Sequence, residues 1–331
     1  LTIEKVGVSA YGIIATDPAD AVPSPYGEEN ALSEVQLHSL GKLQALQATT
    51  LNVEASNNTV QFSGADNTAT YGIEADAGYG ENDLNFTANS NAISGFEAGI
   101  EIYQCSESCS TGVFTAVTAT HNRLTGNMFG IRSNVPSPTT NGENNWWGSP
   151  CGPSGEGPGN GDAVSTYVDF SPWWADPNGS STATEGPGGE IVIPTGATTA
   201  QAQAILNCAA GRTVMFESGT YPGGLTVNGN GTTVELNGCT VTGGSPAFTI
   251  VGDDVTILGP GVLDGWTGSA NNPDPAVLVQ AGADNFTIDG VEIKRWADGI
   301  QVAGAVTSLK VVNNWVHDNT DAGLQVDADV G

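Results

Sequence analysis

The sequence predicts an all-β fold of short parallel strands, and its composition, internal repetition and turn residues each support that prediction. The 331 residues include 45 glycines and only 2 methionines, and 13% of them are charged. This composition is typical of turn-rich β proteins and not of helical bundles. The chain is long enough to bury one large core or two ordinary ones.

Three segments in the first half of the chain repeat one another. Apolar and polar residues alternate in each, as expected of strands that have one buried face. Their alignment superimposes Asn58, Asn91 and Asn122, each two residues before an apolar residue. We predict that these asparagines adopt left-handed turn conformations and stack in a hydrogen-bonded ladder. The segments are LNVEASNNTVQF, LNFTANSNAISGF and VFTAVTATHNRLTG, beginning at Leu51, Leu84 and Val113.

A glycine followed by isoleucine comes later in each repeat, and we predict that this glycine forms the next bend. If equivalent strands pair in parallel, the inward Val, Ile, Leu and Phe side chains form continuous core columns. One repeat alone could not bury that face. The pairs are Gly72-Ile73, Gly99-Ile100 and Gly130-Ile131.

A second array of alternating strand, turn and strand units follows. It includes FTIVGDDVTILGPGVLDG, FTIDGVEIKRWADGIQV and LKVVNNWVHDNTDAGLQV. These segments resemble the right-handed parallel β-helix repeats of pectate lyases, polygalacturonases, alginate epimerases, phage tailspikes and many archaeal and bacterial surface proteins. The resemblance covers most of residues 51–135 and 211–331. It implies an all-β, right-handed parallel β-helix of the pectin-lyase-like type.

The predicted organisation is two partial β-helix arrays joined by a linker. Residues 1–176 are interpreted as the C-terminal part of one β-helix, and residues 177–190, rich in Gly, Pro and Ser, as the linker. Residues 191–331 are interpreted as the N-terminal part of a second β-helix, with a capping helix near 198–210. The boundary is expected near Thr184.

Two pairs of adjacent tryptophans precede the linker. The passage from Asn144 to Trp174 resembles the closing segment of β-helix arrays in prokaryotic surface proteins. We therefore expect these tryptophans to cover the last repeat, since open strand edges need large apolar side chains. An exposed carbohydrate platform is the alternative. The tryptophans are Trp146, Trp147, Trp173 and Trp174.

The charge and the sequons favour a secreted or cell-surface protein. The formal net charge of −28 argues against nucleic acid or anionic lipid as a partner. No stretch approaches the roughly 20 apolar residues of a membrane span. Five Asn-x-Ser/Thr sequons are candidate glycosylation sites, and several lie at predicted turns. They begin at Asn57, Asn85, Asn178, Asn230 and Asn285.

The five cysteines lack the spacing of a zinc site, so disulfides fit better. Cys105 and Cys109 could close a tight loop. Cys208 and Cys239 could attach the capping segment to the first strands, which leaves Cys151 unpaired. Spacing alone does not fix this connectivity.

We expect no catalytic residues. A uronate lyase needs acidic calcium ligands and a basic residue on one face, and Lys294 and Arg295 form the only such cluster, with Asp284, Asp289 and Asp298 nearby in sequence. A solvated strand face with turn carboxylates is the favoured interpretation.

Two short motifs are similar to enzyme elements but are incomplete. NTDAG at Asn319–Gly323 is similar to the NTDG of polygalacturonases, and YGIEADAG at Tyr71–Gly78 to the YG-DPH of alginate epimerases, without its His. No cofactor is predicted. The acidic turns at Asp253-Asp254 and Asp327-Ala328-Asp329 offer oxygen ligands that calcium could recruit. No EF-hand loop or calcium-binding nonapeptide occurs, so solvated carboxylates are the favoured interpretation.

The leading functional hypothesis is an extracellular structural protein that builds a surface layer, stalk or filament. The N-terminal LTIEKVGVSAYGI overlays LKVVNNWVHDNTDAGL, so copies, or segments of one longer chain, are expected to stack head to tail. A polysaccharide-active enzyme (uronate lyase, hydrolase or epimerase) is one alternative. An adhesin that binds cell-surface glycans through tryptophans such as Trp296 is another. The predicted junction residues are Leu1, Ile3 and Val8 with Leu309, Val311 and Val316.

Overall fold

The structure, a computed structural model, is almost entirely β, with one helix among the residues that it describes. The chain divides into an N-terminal unit, Leu1–Thr182, and a C-terminal unit, Ala183–Gly331. This division falls inside the predicted linker, 177–190. The described residues are 35–38 (backbone only), 50–64, 67–77, 83–105, 112–266 and 268–327.

The N-terminal unit contains three parallel sheets. Their strand orders are β1-β4-β7-β10-β13-β12, β14-β11-β8-β5-β2 and β3-β6-β9. Each strand therefore pairs mainly with its equivalents in the preceding and following repeats. The strands are β1 (Val35–His38), β2 (Thr50–Ser56), β3 (Thr59–Gln61), β4 (Tyr71–Asp76), β5 (Asp83–Asn89), β6 (Ala92–Ser94), β7 (Ala98–Tyr103), β8 (Phe114–Thr120), β9 (Arg123–Thr125), β10 (Phe129–Ser133), β11 (Thr140–Asn141), β12 (Pro153–Gly155), β13 (Gly161–Val164), β14 (Val168–Asp169) and β15 (Trp173–Trp174).

The strand register confirms the predicted repeat. Leu51 lies opposite Leu84, and Leu84 lies opposite Phe114, next to a β-bulge that explains the longer third segment. Each sheet contributes at least one column of buried side chains, as period-2 alternation requires. The columns are Val53-Phe86-Val117, Val60-Ile93-Leu124 and Ile73-Ile100-Ile131.

The asparagine ladder is present, but the left-handed residue is its neighbour. The backbone N–H and Nδ2 of Asn91 both donate to Oδ1 of Asn122, at 3.0 Å each. Asn58 and Asn122 make the same pair of bonds to the asparagine of the following repeat. The residues with positive φ values are those that precede the ladder asparagines, so the predicted left-handed position was wrong by one residue. These residues are Asn57, Ser90, His121 and Asn144.

The repeated glycines are required by close packing and not by a bend. A Cβ on Gly72 would lie 2.6 Å from the carbonyl oxygen of Gly99, and one on Gly99 would lie 2.9 Å from that of Gly130. A Cβ on Gly130 would meet the Trp147 ring at 2.8 Å. None of the three glycines has a positive φ. At Gly72 and Gly99 the adjacent backbone approaches too closely for a side chain, and at Gly130 the Trp147 ring occupies the space.

Large aromatic side chains bury the last repeat of the N-terminal unit. Trp147 and Trp173 are fully buried, and Trp146 is also buried. The Trp173 indole donates to the carbonyl oxygen of Pro150 at 3.1 Å. Burial of Trp147 and Trp173 fits the closing role and leaves neither ring a face for a sugar. Trp174 is half-buried and Trp146 borders a surface groove, so for these two the carbohydrate alternative stays a prediction.

The C-terminal unit begins with an antiparallel pair, β16 with β17, and then continues with parallel strands. One sheet includes the strand order β17-β18-β21-β24-β26. In the same sheet, β22 pairs with β19 and β24, and β28 and β29 pair with β26. The other sheet has the order β20-β23-β25-β27-β30. The strands are β16 (Thr182–Glu185), β17 (Ile191–Ile193), β18 (Thr213–Phe216), β19 (Thr220–Pro222), β20 (Leu225–Val227), β21 (Thr233–Glu235), β22 (Thr240–Thr242), β23 (Phe248–Ile250), β24 (Thr256–Asp264), β25 (Val277–Gln280), β26 (Phe286–Lys294), β27 (Ile300–Ala303), β28 (Leu309–Val312), β29 (Trp315–His317) and β30 (Leu324–Asp327).

The helix α1 (Thr199–Asn207) lies within the range predicted for the capping helix, 198–210. A capping box between Thr198 and Gln201 starts it, and Ala202, Ile205 and Leu206 are its buried residues. Gln203 exchanges two hydrogen bonds with the backbone of Thr226, which anchors α1 beside β20. The helix therefore covers the strands at the beginning of this unit.

The predicted Cys208–Cys239 disulfide is wrong. Cys208 is disulfide-bonded, as is Cys151, whereas Cys239 is a free thiol. Burial raises the pKa of the Cys239 thiol to about 12. Sequence spacing could not show that the Cys239 side chain points into the core. Cys105 is also disulfide-bonded, and Cys109 lies outside the described residues.

Candidate functional site

The last repeat of the C-terminal unit, formed by β28, β29 and β30, exposes its apolar column. Val311, Leu324 and Val326 are 37%, 46% and 56% exposed. Their partners in the preceding repeat, Ile288, Ile300 and Val302, are fully buried. The same column is thus covered in one repeat and open in the next. We call the surface formed by residues 309–327 the open edge.

An unpaired buried donor lies at this open edge. The backbone N–H of Trp296 donates to Oδ1 of Asn319 at 3.0 Å, but Nδ2 of Asn319 is buried and has no acceptor among the residues that the structure describes. In the N-terminal unit the backbone N–H of Phe96 donates in the same way to Oδ1 of Asn127. There, Nδ2 of Asn127 donates to Asp162 of the following repeat at 2.7 Å. Asn319 lacks that following carboxylate.

The predicted junction residues divide into two groups. Leu309 and Val316 are half-buried and Val311 is exposed, all on the open edge. They lie in register with buried Phe286, Ile293 and Ile288. Leu1, Ile3 and Val8 lie outside the described residues. Their predicted stacking on this edge stays a prediction.

A charged face lies on the outer surface of the same unit. In register, Asp264, Lys294 and His317 form one row across three strands, and Val262, Glu292 and Trp315 form the next row. Lys294 contacts Glu292 at 2.6 Å, and Nε2 of His317 lies 3.3 Å from the same carboxylate. Lys294 and Glu292 are two residues apart on the same face of β26, and His317 reaches the Glu292 carboxylate from the neighbouring strand β29. We call this surface the outer charged face.

Arg295 follows β26 in a left-handed conformation and binds Asp264 through two guanidinium nitrogens. Burial disfavours the ionised form of Asp264, but the hydrogen bonds from Arg295 and from the Trp266 N–H outweigh it and lower the Asp264 pKa. The hydrogen bond from Lys294 lowers the pKa of Glu292. Both cations of the predicted cluster are therefore paired with carboxylates.

The three aspartates that lie near Lys294 and Arg295 in the sequence accept hydrogen bonds from other groups. Asp284, Asp289 and Asp298 accept hydrogen bonds from Thr307, Asn313 and Ala322, respectively. The actual partners are Glu292 and, one repeat earlier, Asp264. Glu292 is only two residues from Lys294 on the same strand, whereas Asp264 lies 31 residues before Arg295 and meets it across adjacent strands, which sequence proximity could not show.

Two exposed tryptophans lie at the outer charged face, and sequence reasoning missed both. Trp315 is 63% exposed and stacks on His317, with ring centroids 4.1 Å apart. Trp266 is 46% exposed and lies 5.5 Å below the Arg295 guanidinium. Trp296, one of the five tryptophans considered for glycan binding, is fully buried. The exposure of Trp315 was predictable from the sequence, because strand alternation puts Trp315 outward when its neighbour Val316 points inward.

A second charged cluster lies in the N-terminal unit, where Glu74, Glu101 and Arg132 are in register. Arg132 contacts Glu101 at 2.6 Å and Glu97 at 2.7 Å. Burial raises the pKa of Glu101 to about 7, against the opposing effect of Arg132. The hydrogen bond from Arg132 lowers the pKa of Glu97. Tyr71 packs against the guanidinium at 5.4 Å.

Four of the five sequon asparagines are exposed, and Asn85 is the half-buried one, in β5, where it donates to Asn52. The acidic turns bind protein groups: Asp253 accepts from the Asp284 N–H, and Asp254 from Asn285. Asp327 accepts from Gln301 and Gln325, and Asp329 lies outside the described residues. Within the described ranges, no group of three His, Cys, Asp or Glu side chains could hold a metal.

No helix in the described part of the chain is long and apolar enough to cross a membrane. In comparisons with known proteins, no family model, curated protein or solved structure matches this chain.

Proposed function

We propose that this chain is an extracellular structural protein in which each unit is part of a right-handed parallel β-helix and copies stack head to tail. Parallel strands in register, continuous core columns and an asparagine ladder support the β-helix of the pectin-lyase-like type. The acidic surface and the exposed sequons favour an extracellular location.

The open edge is the observation on which the stacking proposal depends. Val311, Leu324 and Val326 are exposed where their partners one repeat earlier are fully buried. A further parallel layer would bury these side chains and pair the free backbone groups of β28 and β30. It would also offer an acceptor to the orphaned Nδ2 of Asn319.

The proposed occupant is residues 1–16 of a second copy. Aligning Leu1 with Leu309 places Ile3 beside Val311 and Val8 beside Val316, which extends each apolar column with an apolar residue. Because this contact joins two different surfaces, it propagates into a filament or layer and does not close into a dimer.

Sedimentation velocity over a range of protein concentrations tests the proposal. Wild-type protein should form species that grow with concentration, and Val311→Asp should stay monomeric, because a carboxylate cannot enter the apolar column. Val251→Asp is the matched control: Val251 is 47% exposed and lies outside the open edge. Assembly of Val311→Asp equal to wild type, or wild-type protein that stays monomeric throughout, would contradict the proposal.

A further inference from the structure

The outer charged face includes a groove that the stacking proposal does not use. It is a shallow groove of about 310 Å³ that is open to solvent. The residues that line it include Pro260, Gly261, Gly290, Glu292, Asn313 and Trp315. Because glycines line part of the groove, the backbone groups there are accessible. A large aromatic ring and polar groups border the same space.

The aromatic rings at this face are held in place. The Trp315 indole stacks on the His317 imidazole at an interplanar angle of 23°. The two His317 nitrogens lie 2.9 Å from Asp318 and 3.3 Å from Glu292. Trp266 is held beneath Arg295, and the adjoining loop is anchored by the Asn271 amide, which donates to the carbonyl oxygen of Asp318 at 2.8 Å. Rings fixed in this way lose little entropy when a ligand binds.

The charges at the face determine which ligand it suits. Lys294 is paired with Glu292, and Arg295 with Asp264, so neither cation is free to neutralise a ligand anion. Asp318 adds another carboxylate, and the chain as a whole has a formal net charge of −28. A polyuronate would therefore be repelled. A neutral sugar avoids that repulsion, stacks its C–H face on an indole and hydrogen-bonds through its hydroxyls to the fixed ion pairs.

We infer that Trp315, Trp266 and the groove beside Glu292 form a binding site for neutral oligosaccharides. The site uses outward-facing side chains and not the core columns, although Asn313 and Trp315 lie on the open edge, where a stacked strand would run beside β29. It is compatible with stacking: the alignment that pairs Leu1 with Leu309 places Gly7 beside Trp315, and glycine has no side chain to cover the indole.

Isothermal titration calorimetry of the whole chain tests this site with four neutral hexasaccharides: cellohexaose, mannohexaose, xylohexaose and maltohexaose. At least one should bind, and the hexamer of galacturonate should bind at least about tenfold more weakly. Failure of all four neutral probes, or equal binding of the galacturonate hexamer, would overturn the inference.

Variants show where the sugar binds. Trp315→Ala should weaken binding about tenfold or more, because the stacking surface is lost, and Trp315→Tyr should retain most of it. Trp266→Ala should also weaken binding. The matched control is Tyr167→Ala, which removes a 44% exposed aromatic ring in the other unit and should leave the Kd unchanged. Circular dichroism checks folding, and a Trp315→Ala variant that folds and binds like wild type would overturn the inference.

Discussion

The two units treat their last repeats in opposite ways. In the N-terminal unit, Trp147 and Trp173 are fully buried over the last repeat, whereas the C-terminal unit leaves Val311, Leu324 and Val326 between 37% and 56% exposed. Parallel strands in register extend a core column, but they do not terminate it. Termination of a core column therefore requires dedicated side chains, which Trp147 and Trp173 supply in the N-terminal unit, whereas no described residue covers the exposed column within residues 309–327.

The largest contrast is expected between the tryptophans. Trp173→Ala should destabilise the N-terminal unit by about 3 to 5 kcal/mol, because it removes a fully buried indole and leaves a cavity. Trp315→Ala should change the free energy of unfolding by only about 0.5 kcal/mol, because its ring is mostly exposed. Urea denaturation followed by circular dichroism measures both. Equal losses would show that the two tryptophans do not differ in the way the structure describes.

A smaller contrast is expected between Asn127 and Asn319. Asn127→Asp replaces a donor to Asp162 with a second buried carboxylate, and it should cost about 2 to 4 kcal/mol. Asn319→Asp keeps the acceptor for the Trp296 N–H and places its new oxygen at the open edge, away from any carboxylate equivalent to Asp162, so it should cost less, about 1 kcal/mol. The same denaturation experiment compares the two variants. A large loss in Asn319→Asp would mean that its amide already has a partner in the monomer.

The smallest contrast concerns pH. Burial raises the folded-state pKa of Glu101 to about 7, above its ordinary value near 4.5, so the folded state binds the extra proton in that window. Stability of the N-terminal unit should therefore fall by on the order of 1 to 3 kcal/mol as pH rises from 4.5 through 7. Glu101→Gln should lack this fall. Asp264 and Glu292 in the other unit have lowered pKa values, so their contributions are lost only as pH falls through the acidic range.

Denaturation curves at pH 5, 6, 7 and 8 compare wild type with Glu101→Gln, and Glu292→Gln is the matched control in the other unit. Parallel pH profiles for wild type and Glu101→Gln would contradict the assignment of the raised pKa to Glu101.

Local sequence patterns predicted much of the fold. Alternation and the recurring asparagines identified the parallel register that pairs Leu51 with Leu84, as well as the ladder through Asn91. The ladder was predictable because identical side chains stack only when the repeats are in register. The role of Gly72 was not, because a bend and a close backbone approach both select glycine, and only coordinates distinguish them.

The candidate sites were harder to predict, because they depend on contacts between repeats. Arg295 pairs with Asp264, which lies 31 residues away along the chain but in the adjacent strand layer. Nothing in the sequence around Cys239 distinguishes a buried free thiol from a disulfide partner. Exposure of Trp315 was predictable from strand alternation, whereas that of Trp266 was not, because it follows the end of β24 in a loop.

Cryo-electron microscopy of the protein at concentrations where it assembles tests the central claim most directly. We predict a parallel strand from a second copy in register beside β28, with Ile3 beside Val311 and an acceptor within hydrogen-bond distance of Nδ2 of Asn319. Copies that lie isolated, or an open edge covered by residues other than 1–16 of the neighbouring copy, would contradict the account.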